Sequence, residues 1–507
     1  MTSAGSNPCG EVRAPLFERL RLHALNKASS YHVPGHKNGQ GYKGTEAEQW
    51  FDDILRLDVT EIEGMDDLHR PEGEIAEAEK LAAAWFGAEE TAFLVGGSTV
   101  GNLAMVLSVC GADDILIVQR NSHKSVLHAL QLAGARAVFV EPRICSSSGL
   151  AGAVSAEDLR HALQLNPQAK GVLLTNPNYY GMGADLAKLA DVVHEYGMPL
   201  LVDEAHGAHY GLHPDFPASA MQAGADAAVQ SAHKMLNAMT MGAYLHLRGD
   251  RVPREAVRQL LRMLQTSSPS YPILASLDLA RQMVQCQGER AFAAGLAAVG
   301  RVREWLQRPK NRFREAGNGP EGGACETKDP FKLTVYDARG EWDGFALMSR
   351  LGEFGCYAEM ADPSHVLFAF SGANTDRDAE RLIAALEAIA ESEGEGKAAS
   401  GQRAGRGGLP SVSTGRARVS EPTRLLSWRM AASGNRTVLV PLEDSVGRIA
   451  AEAVIPYPPG VPLALPGETI REEMRDELRR LWQSGCRFQG GFDASTGLIR
   501  VVDGSRL

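Results

Sequence analysis

Between about residues 90 and 250, short apolar runs alternate with stretches of helical periodicity. The runs predict strands at Thr91–Val95, Ile115–Val118, Ala137–Val140, Gly171–Thr175, Leu200–Asp203, Ala227–Gln230 and Ala243–Leu247. Helical spacing fills the gaps, as in Val100–Val109, Ser125–Leu132 and Ala184–Tyr196. This alternation implies an α/β fold with a mostly parallel sheet covered by helices on both faces. Ligands of such folds bind at the carboxyl ends of the strands. Asp203 and the turn Gly96-Gly97-Ser98-Thr99 both fall at such ends.

A smaller α/β unit follows, from about 275 to 390. It is expected to open with one long helix, Ala275–Gln307. A loop rich in Gly, Pro and charge comes next (Arg308–Asp329), then strands near Phe331–Tyr336 and Val366–Phe370 and a closing helix, Asp376–Glu391. Residues 392–424 carry few large apolar groups and cannot repay the entropy of ordering, so they read as a flexible linker. Its arginines offer contacts to RNA, but a solubilising tether is the simpler reading. Globular patterning resumes near 425, with Thr437–Pro441 as a strand and a Pro-rich run, Ile455–Pro462. The expected divisions are an N-terminal arm at 1–70, a large domain at 71–273, a small domain at 274–391, the linker at 392–424 and a C-terminal α+β domain at 425–507.

Composition narrows the class. The 507 residues exceed what one core normally organises, and 44% hydrophobic with 22% charged residues is ordinary for a globular protein. A net charge of -10 argues against a general nucleic-acid binder. The first residues form no basic and apolar leader, and no apolar run is long enough to span a membrane. Seven cysteines, scattered singly, read as reduced thiols of a cytoplasmic protein.

The chemistry concentrates at the strand ends. The buried run Pro199-Leu-Leu-Val ends in Asp203, and Val229-Gln-Ser231-Ala232 leads into His233-Lys234. A strand-end aspartate with a Ser-x-His-Lys is what pyridoxal 5'-phosphate (PLP) chemistry needs. Lys234 would form the Schiff base, and Asp203 would keep the pyridine nitrogen protonated. A buried carboxylate is costly unless paired, and that nitrogen is such a partner. Ser98 and Thr99 open a helix whose free amides suit a phosphate, and Ser231 and His233 are near enough in sequence to join them. His123, after the strand Ile115–Val118, offers a flat ring to stack on the cofactor face opposite Ala205, and His206 lies within reach of cofactor or substrate. His206, His209 and His213 mimic metal-ligand spacing, but they lie in a turn, and no metal is expected.

Several motifs together resemble the Orn/Lys/Arg decarboxylases of PLP fold type I, whose large domain is aspartate aminotransferase-like. They are Asp203-Glu-Ala-His-Gly, Gln230-Ser-Ala-His-Lys234, Gly96–Thr99, Asn121-Ser-His-Lys124, Tyr31-His-Val-Pro-Gly-His-Lys37, Asp58-Val-Thr-Glu61, Asp66-Asp-Leu-His69 and Thr266-Ser-Ser-Pro-Ser-Tyr271. The resemblance covers about residues 12–390, and Ile455-Pro-Tyr-Pro-Pro-Gly with Pro466-Gly-Glu468 extends it to that family's C-terminal domain. It implies PLP-dependent α-decarboxylation of a basic amino acid, arginine or lysine ahead of ornithine. Lys234 and Asp203 would take the roles above, and His123 would stack on the ring. Ser98, Thr99, Ser231 and His233 would hold the phosphate. Ser267 or Ser268 would serve the phosphate of the neighbouring subunit in a homodimer or dimer of dimers, and Glu359 would lie near the substrate. Asp362 and Glu61 are further carboxylates that could take its distal cation. The chain begins almost directly with the catalytic region, so decamers built through an N-terminal wing are not expected.

Other readings are weaker. An aminotransferase would clamp a substrate carboxylate with arginine, and Arg377 is the one arginine close after the strand near 366–370. Asp203-Glu-Ala-His206 spells a helicase motif, but the Gly-x-x-x-x-Gly-Lys-[Ser/Thr] loop it requires is missing. A silent regulatory homologue would lack the lysine or the aspartate, and both are present.

Overall fold

The seven apolar runs form strands β1 (Glu90–Leu94), β2 (Ile115–Gln119), β3 (Arg136–Val140), β4 (Gly171–Thr175), β5 (Leu200–Asp203), β6 (Ala227–Gln230) and β7 (Ala243–Leu247). The computed structural model describes residues 12–26, 28–317, 324–392, 418–426, 436–457 and 460–503. It divides into two compact units, one built on residues up to Ser108 with Leu201–Ala291, the other on Val109–Leu200 with the residues from Phe292 onward.

In the first unit the strand order is β1-β7-β6-β5. β5 and β6 run parallel, whereas β6–β7 and β7–β1 are antiparallel. Every residue of β5, β6 and β7 is buried, so an apolar run without alternation is the pattern their environment demands. The helix Gly97–Val109 lies close on this sheet because Gly101 has no side chain: a Cβ there would collide with Val229 of β6. The helix Pro15–Leu25 buries Leu16 and Leu20, and Asp278, ion-paired with Arg281 in a fully buried setting, accepts the Leu16 amide at 3.0 Å.

The expected long helix is two. Tyr271–Gln287 ends at Gly288, whose φ of +55° breaks the helical path, and Arg290–Leu306 restarts beyond it. Apolar periodicity continues through the break, so spacing alone hides it. Cys286, near the end of the first of these helices, is disulfide-bonded, which corrects the reading of every cysteine as a free thiol. Single spacing along a chain says nothing about which sulfurs meet in space. Cys110, Cys145, Cys325, Cys356 and Cys486 are free, and Cys9 lies outside the described residues.

In the second unit β2 is flanked by β3 and β4, parallel to both. A small antiparallel sheet centres on Lys332–Asp337, between Val366–Ala369 and Phe313–Glu315, with Met360–Ala361 at its edge. Phe313–Glu315 lies where a plain loop was expected. It is held there by the fully buried Phe313 ring and by Arg312, whose guanidinium bonds the Asp337 carboxylate at 3.0 and 2.8 Å. Most of the expected linker, 393–417, lies outside the described residues. Its end is no tether, because Thr423–Arg424 pairs antiparallel with β3 and Val419 bridges Val140. An edge strand offers unpaired backbone groups, and these outweigh a weak apolar composition. Residues 436–457 and 460–503 form a separate core around Val454, Met474, Phe492 and Val501, built from Thr437–Pro441, Leu498–Val502 and Phe492–Asp493, the pair Val454–Tyr457 with Arg487–Gly490, and the helix Glu472–Gln483. No helix among the described residues is long and apolar enough to cross a membrane.

Candidate active site

The first unit gathers most of the expected residues. Asp203 ends β5 and is 3% exposed. One carboxylate oxygen accepts the Asn102 amide at 2.8 Å, the other the backbone N–H of Ala205 at 3.2 Å. Both partners are neutral, and no cation pairs with Asp203 among the described residues. A buried anion with only amide partners lacks a counter-charge. Asn102 escaped the sequence reading. The available signal was an amide inside the apolar stretch Val100–Val109, one turn after Ser98 and Thr99.

Lys234 lies on the short helix Ala232–Met235 that follows β6, on the exposed side. Its Nζ is 3.1 Å from His206 Nε2, and His206 is buried in the turn after Asp203. The turn after β5 and the turn after β6 therefore meet through these two side chains. Ser231, just before the helix, is fully buried, and its hydroxyl has no hydrogen-bond partner among the described residues. An orphaned buried hydroxyl is uncommon and marks a place where a polar group fits. His233 gives its Nδ1–H to the Gly242 carbonyl at 3.1 Å. Burial, with the charge of Lys234, lowers its pKa, so the ring is neutral with Nε2 left for a ligand. Gly97, at φ +71°, opens the helix that carries half-buried Ser98 and exposed Thr99 in its first turn, where backbone amides have no intrahelical acceptor. Ser268 sits in the exposed turn before Tyr271, and no hydrogen bond joins it to the Lys234 group among the described residues. His209 is buried edge-on against Tyr210 and Phe216. Among the described residues no group of three or more His, Cys, Asp or Glu side chains could hold a metal ion.

A buried polar chain crosses the same unit. Glu204 accepts from Gln230 Nε2 at 2.7 Å and from the Ala220 amide at 2.8 Å. Gln230 Oε1 receives His246 Nε2–H at 3.1 Å, and His246 Nδ1 takes the Thr91 hydroxyl at 2.8 Å. Burial pushes the Glu204 carboxyl up to about 8 from an ordinary 4.5, and drives His246 down to about 3. Between 4.5 and 8 the folded protein holds a proton on Glu204 that the unfolded chain has lost. That contribution to stability is complete below 4.5 and disappears as pH rises through about 8. Denaturant unfolding at fixed protein and cofactor concentration should therefore show wild-type protein losing about 3 kcal/mol more than Glu204→Gln between pH 6 and pH 9. Parallel profiles for the two proteins would mean that Glu204 titrates as an ordinary carboxylate.

The second unit carries His123 and Glu359. His123 caps the helix Lys124–Ala133, its Nδ1 accepting from the Ser125 amide at 3.2 Å. Exposed Glu359 accepts the Tyr179 hydroxyl at 2.8 Å, a partner that nothing in the sequence marked. Burial and this carboxylate raise the Tyr179 pKa, so the phenol stays a donor. Asp362, a further carboxylate weighed for the distal cation, has partners of its own. It already accepts Tyr180 OH at 2.7 Å and His365 Nδ1 at 3.0 Å. Burial alone would raise its pKa, but His365 and these bonds hold it below the usual carboxylate range. Arg377 is exposed on the first turn of the helix Asp376–Glu391.

Comparison with known proteins bears on the family and the fold. A family model described as "Orn/Lys/Arg decarboxylase, major domain" matches residues 14–316, and one described as "Orn/Lys/Arg decarboxylase, C-terminal domain" matches residues 427–500. The chain is 41% identical over 481 residues to the uncharacterized protein YaaO of Bacillus subtilis (strain 168), covering 94% of this chain and 96% of that one. It is 35% identical over 489 residues to an arginine decarboxylase of the same organism, covering 96% and 97%. The solved structure of the Francisella novicida lysine decarboxylase LdcF superposes with a TM-score of 0.82 at 21% identity, over 97% of this chain and 82% of that one, a likeness of fold.

Proposed function

Because the chain belongs to the Orn/Lys/Arg decarboxylase family, PLP-dependent enzymes that decarboxylate basic amino acids on a fold type I scaffold, we propose that it binds PLP through Lys234 and releases carbon dioxide from arginine. The observation that carries this reading is the buried Asp203 carboxylate with only amide partners, in the same unit as the Lys234–His206 pair. When bound, PLP supplies an electron sink for the pair left behind as the Cα–carboxylate bond breaks.

The residues present fit that group. Asp203 supplies the counter-charge for a protonated ring nitrogen, and Asn102 with the Ala205 amide fixes the carboxylate that does so. Ser231 has an unused buried hydroxyl for the phosphate, joined by Ser98, Thr99 and His233. His206 accepts a hydrogen from the Lys234 amine and so holds its lone pair in one direction. His233 has committed its proton to Gly242, so the proton returned to Cα is assigned to Lys234 or a tyrosine rather than to this imidazole. The stacking role of His123, the substrate role of Glu359 and the service of Ser268 to a neighbouring subunit rest on the family resemblance. The exposed Tyr31, Trp50 and Phe51 support a homodimer or dimer of dimers, in which such apolar groups are covered. We place the enzyme in the cytoplasm.

The choice of arginine is supported by the arginine decarboxylases among its relatives. Lysine is the second reading. Tyr179 already occupies one oxygen of Glu359, and a single-point ammonium needs only the other, whereas a guanidinium fork prefers both. Purified protein supplied with PLP and each of arginine, lysine and ornithine, with carbon dioxide and amine products measured, should give agmatine from arginine. Its kcat/KM should exceed that of the other two by about tenfold or more. No amine from any of the three would end the proposal.

A further inference from the structure

The buried polar chain of the first unit takes one side chain from each strand or strand end: Glu204 after β5, Gln230 on β6, His246 on β7 and Thr91 on β1. Register puts them in line. Thr91 lies directly opposite His246, and His246 faces Ala228, two residues before Gln230 and therefore on the same face. Each is no more than 1% exposed, so these groups must satisfy one another.

Their donors and acceptors admit two orders. With Glu204 ionised, its oxygens accept from the Ala220 amide and from Gln230 Nε2. Gln230 Oε1 then takes His246 Nε2–H, and His246 Nδ1 takes the Thr91 hydroxyl. A proton on Glu204 does not fit that order. The Ala220 N–H is a fixed donor, so the proton must sit on the oxygen facing Gln230, where an NH2 already donates. A half-turn of the glutamine amide removes the conflict, because its two ends have the same shape. Gln230 then accepts from Glu204 and donates to His246 Nε2, and His246 carries its hydrogen on Nδ1, toward the Thr91 oxygen. A hydroxyl both donates and accepts, so the reversal ends there.

The surroundings favour the second order. A buried carboxyl beside no cation is cheaper neutral, and burial pushes Glu204 up to about 8 against bonds from Gln230 and Ala220 alone. Burial likewise keeps the His246 ring neutral. Charged and titratable groups of the adjoining elements are engaged elsewhere. Asp203 bonds Asn102 and the Ala205 amide, and Asp226 pairs with Arg251 at 3.1 Å. Tyr244, beside the His246 ring, donates to the Leu277 carbonyl at 2.6 Å. Arg258, which donates to the Thr91 carbonyl, is paired with Glu79 and Glu90.

We propose that Glu204 is a positioning residue that works as a neutral acid: its proton sets the direction of the Glu204–Gln230–His246–Thr91 chain, which holds the turn bearing Asp203 against the strand end that leads to Ser231 and Lys234. The proposal rests on the decarboxylase reading and adds the group that keeps its two turns in register. The Glu204 backbone already donates to the Val229 carbonyl at 3.0 Å, and the side chain adds a second link one residue further along. Ionising Glu204 brings a second buried anion beside Asp203, which then holds its charge less readily, and turnover falls.

The experiment follows PLP-loaded wild-type and Glu204→Gln proteins, labelled with nitrogen-15 in histidine, by NMR across the pH range around 8. His246 is assigned by the resonances missing from His246→Asn. In wild type its hydrogen should move from Nδ1 to Nε2 as pH rises through about 8. Glu204→Gln offers an NH2 to Gln230 and an oxygen to Ala220 at every pH, so its His246 should keep the hydrogen on Nδ1 throughout. Infrared spectra give the same answer if His246→Asn does not fold: a protonated-carboxyl stretch should fade over that range in wild type and be missing from Glu204→Gln. The ratio of wild-type to Glu204→Gln kcat/KM, for the best substrate of the wild type, should fall about tenfold from one pH unit below that midpoint to one above it, as the protonated fraction does. A His246 tautomer that ignores pH, or one that changes identically in both proteins, would overturn the proposal. So would a flat kcat/KM ratio, which would leave the chain a structural fixture of the sheet. If wild-type protein turned over none of the three amino acids, the decarboxylase reading would fall and the positioning role with it. Normal turnover with a pH-indifferent His246 would sink this proposal alone.

Discussion

Lys234→Ala protein should lose decarboxylation by about four orders of magnitude or more, the scale on which removal of a covalent catalytic group acts. The side chain is exposed, as most lysines are, so exposure does not mark it. Its position does. The short helix that follows β6 presents its amine to His206, and His206 is set by the turn that Asp203 begins. Alanine removes the only group of this turn able to join an aldehyde cofactor covalently, while Asp203, Asn102 and Ser231 stay in place. Cofactor can then still bind, without its covalent link, and the visible absorption changes accordingly. Titration of PLP into the variant, read by absorption alongside a carbon dioxide assay, checks both halves. Undiminished turnover with an unchanged spectrum would remove Lys234 from the chemistry.

The second large effect belongs to Asp203→Asn, which should lower kcat by about 10²- to 10³-fold, the range seen when one preorganised electrostatic partner is lost. Asparagine fills the same space and can still meet the Asn102 amide, so the turn through Ala205 to His206 should survive. What disappears is the charge that raises the pKa of a pyridine nitrogen. An unprotonated ring is a poorer electron sink, so the loss should appear in kcat rather than in cofactor content. Measuring PLP content and steady-state rates on the same preparation separates the two. A kcat within about tenfold of wild type would mean that the carboxylate serves only to hold the turn.

The parts of this molecule that depend on local pattern were legible in its sequence. β4, β5, β6 and β7 lie at the expected residues, and β1, β2 and β3 are offset by a residue or less at an end, because unbroken apolar runs between helical periods have few other uses. The places of Asp203 at the end of β5 and of Ser231 just after β6 were readable because each closes or follows such a run. The break at Gly288 was not, since a single glycine inside apolar periodicity is compatible with a continuous helix. The pairing of 418–424 with β3 was hidden by composition that speaks only of apolar content. Asn102, Tyr179 and Arg120 act on residues far along the chain. The Arg120 guanidinium meets carbonyls at 462 and 463, and no spacing rule links positions so distant. The Glu204–Gln230–His246–Thr91 chain is of the same kind: four strand-end or strand residues whose relation exists only once the strands are aligned.

Borohydride reduction of PLP-loaded protein, followed by digestion and mass mapping of the peptides, addresses the attachment directly. The reduced cofactor should be found on one peptide, the one containing Lys234, and activity should disappear in proportion to that label. Cofactor fixed to a different lysine, or no fixed cofactor in protein that still releases carbon dioxide from a basic amino acid, would contradict it.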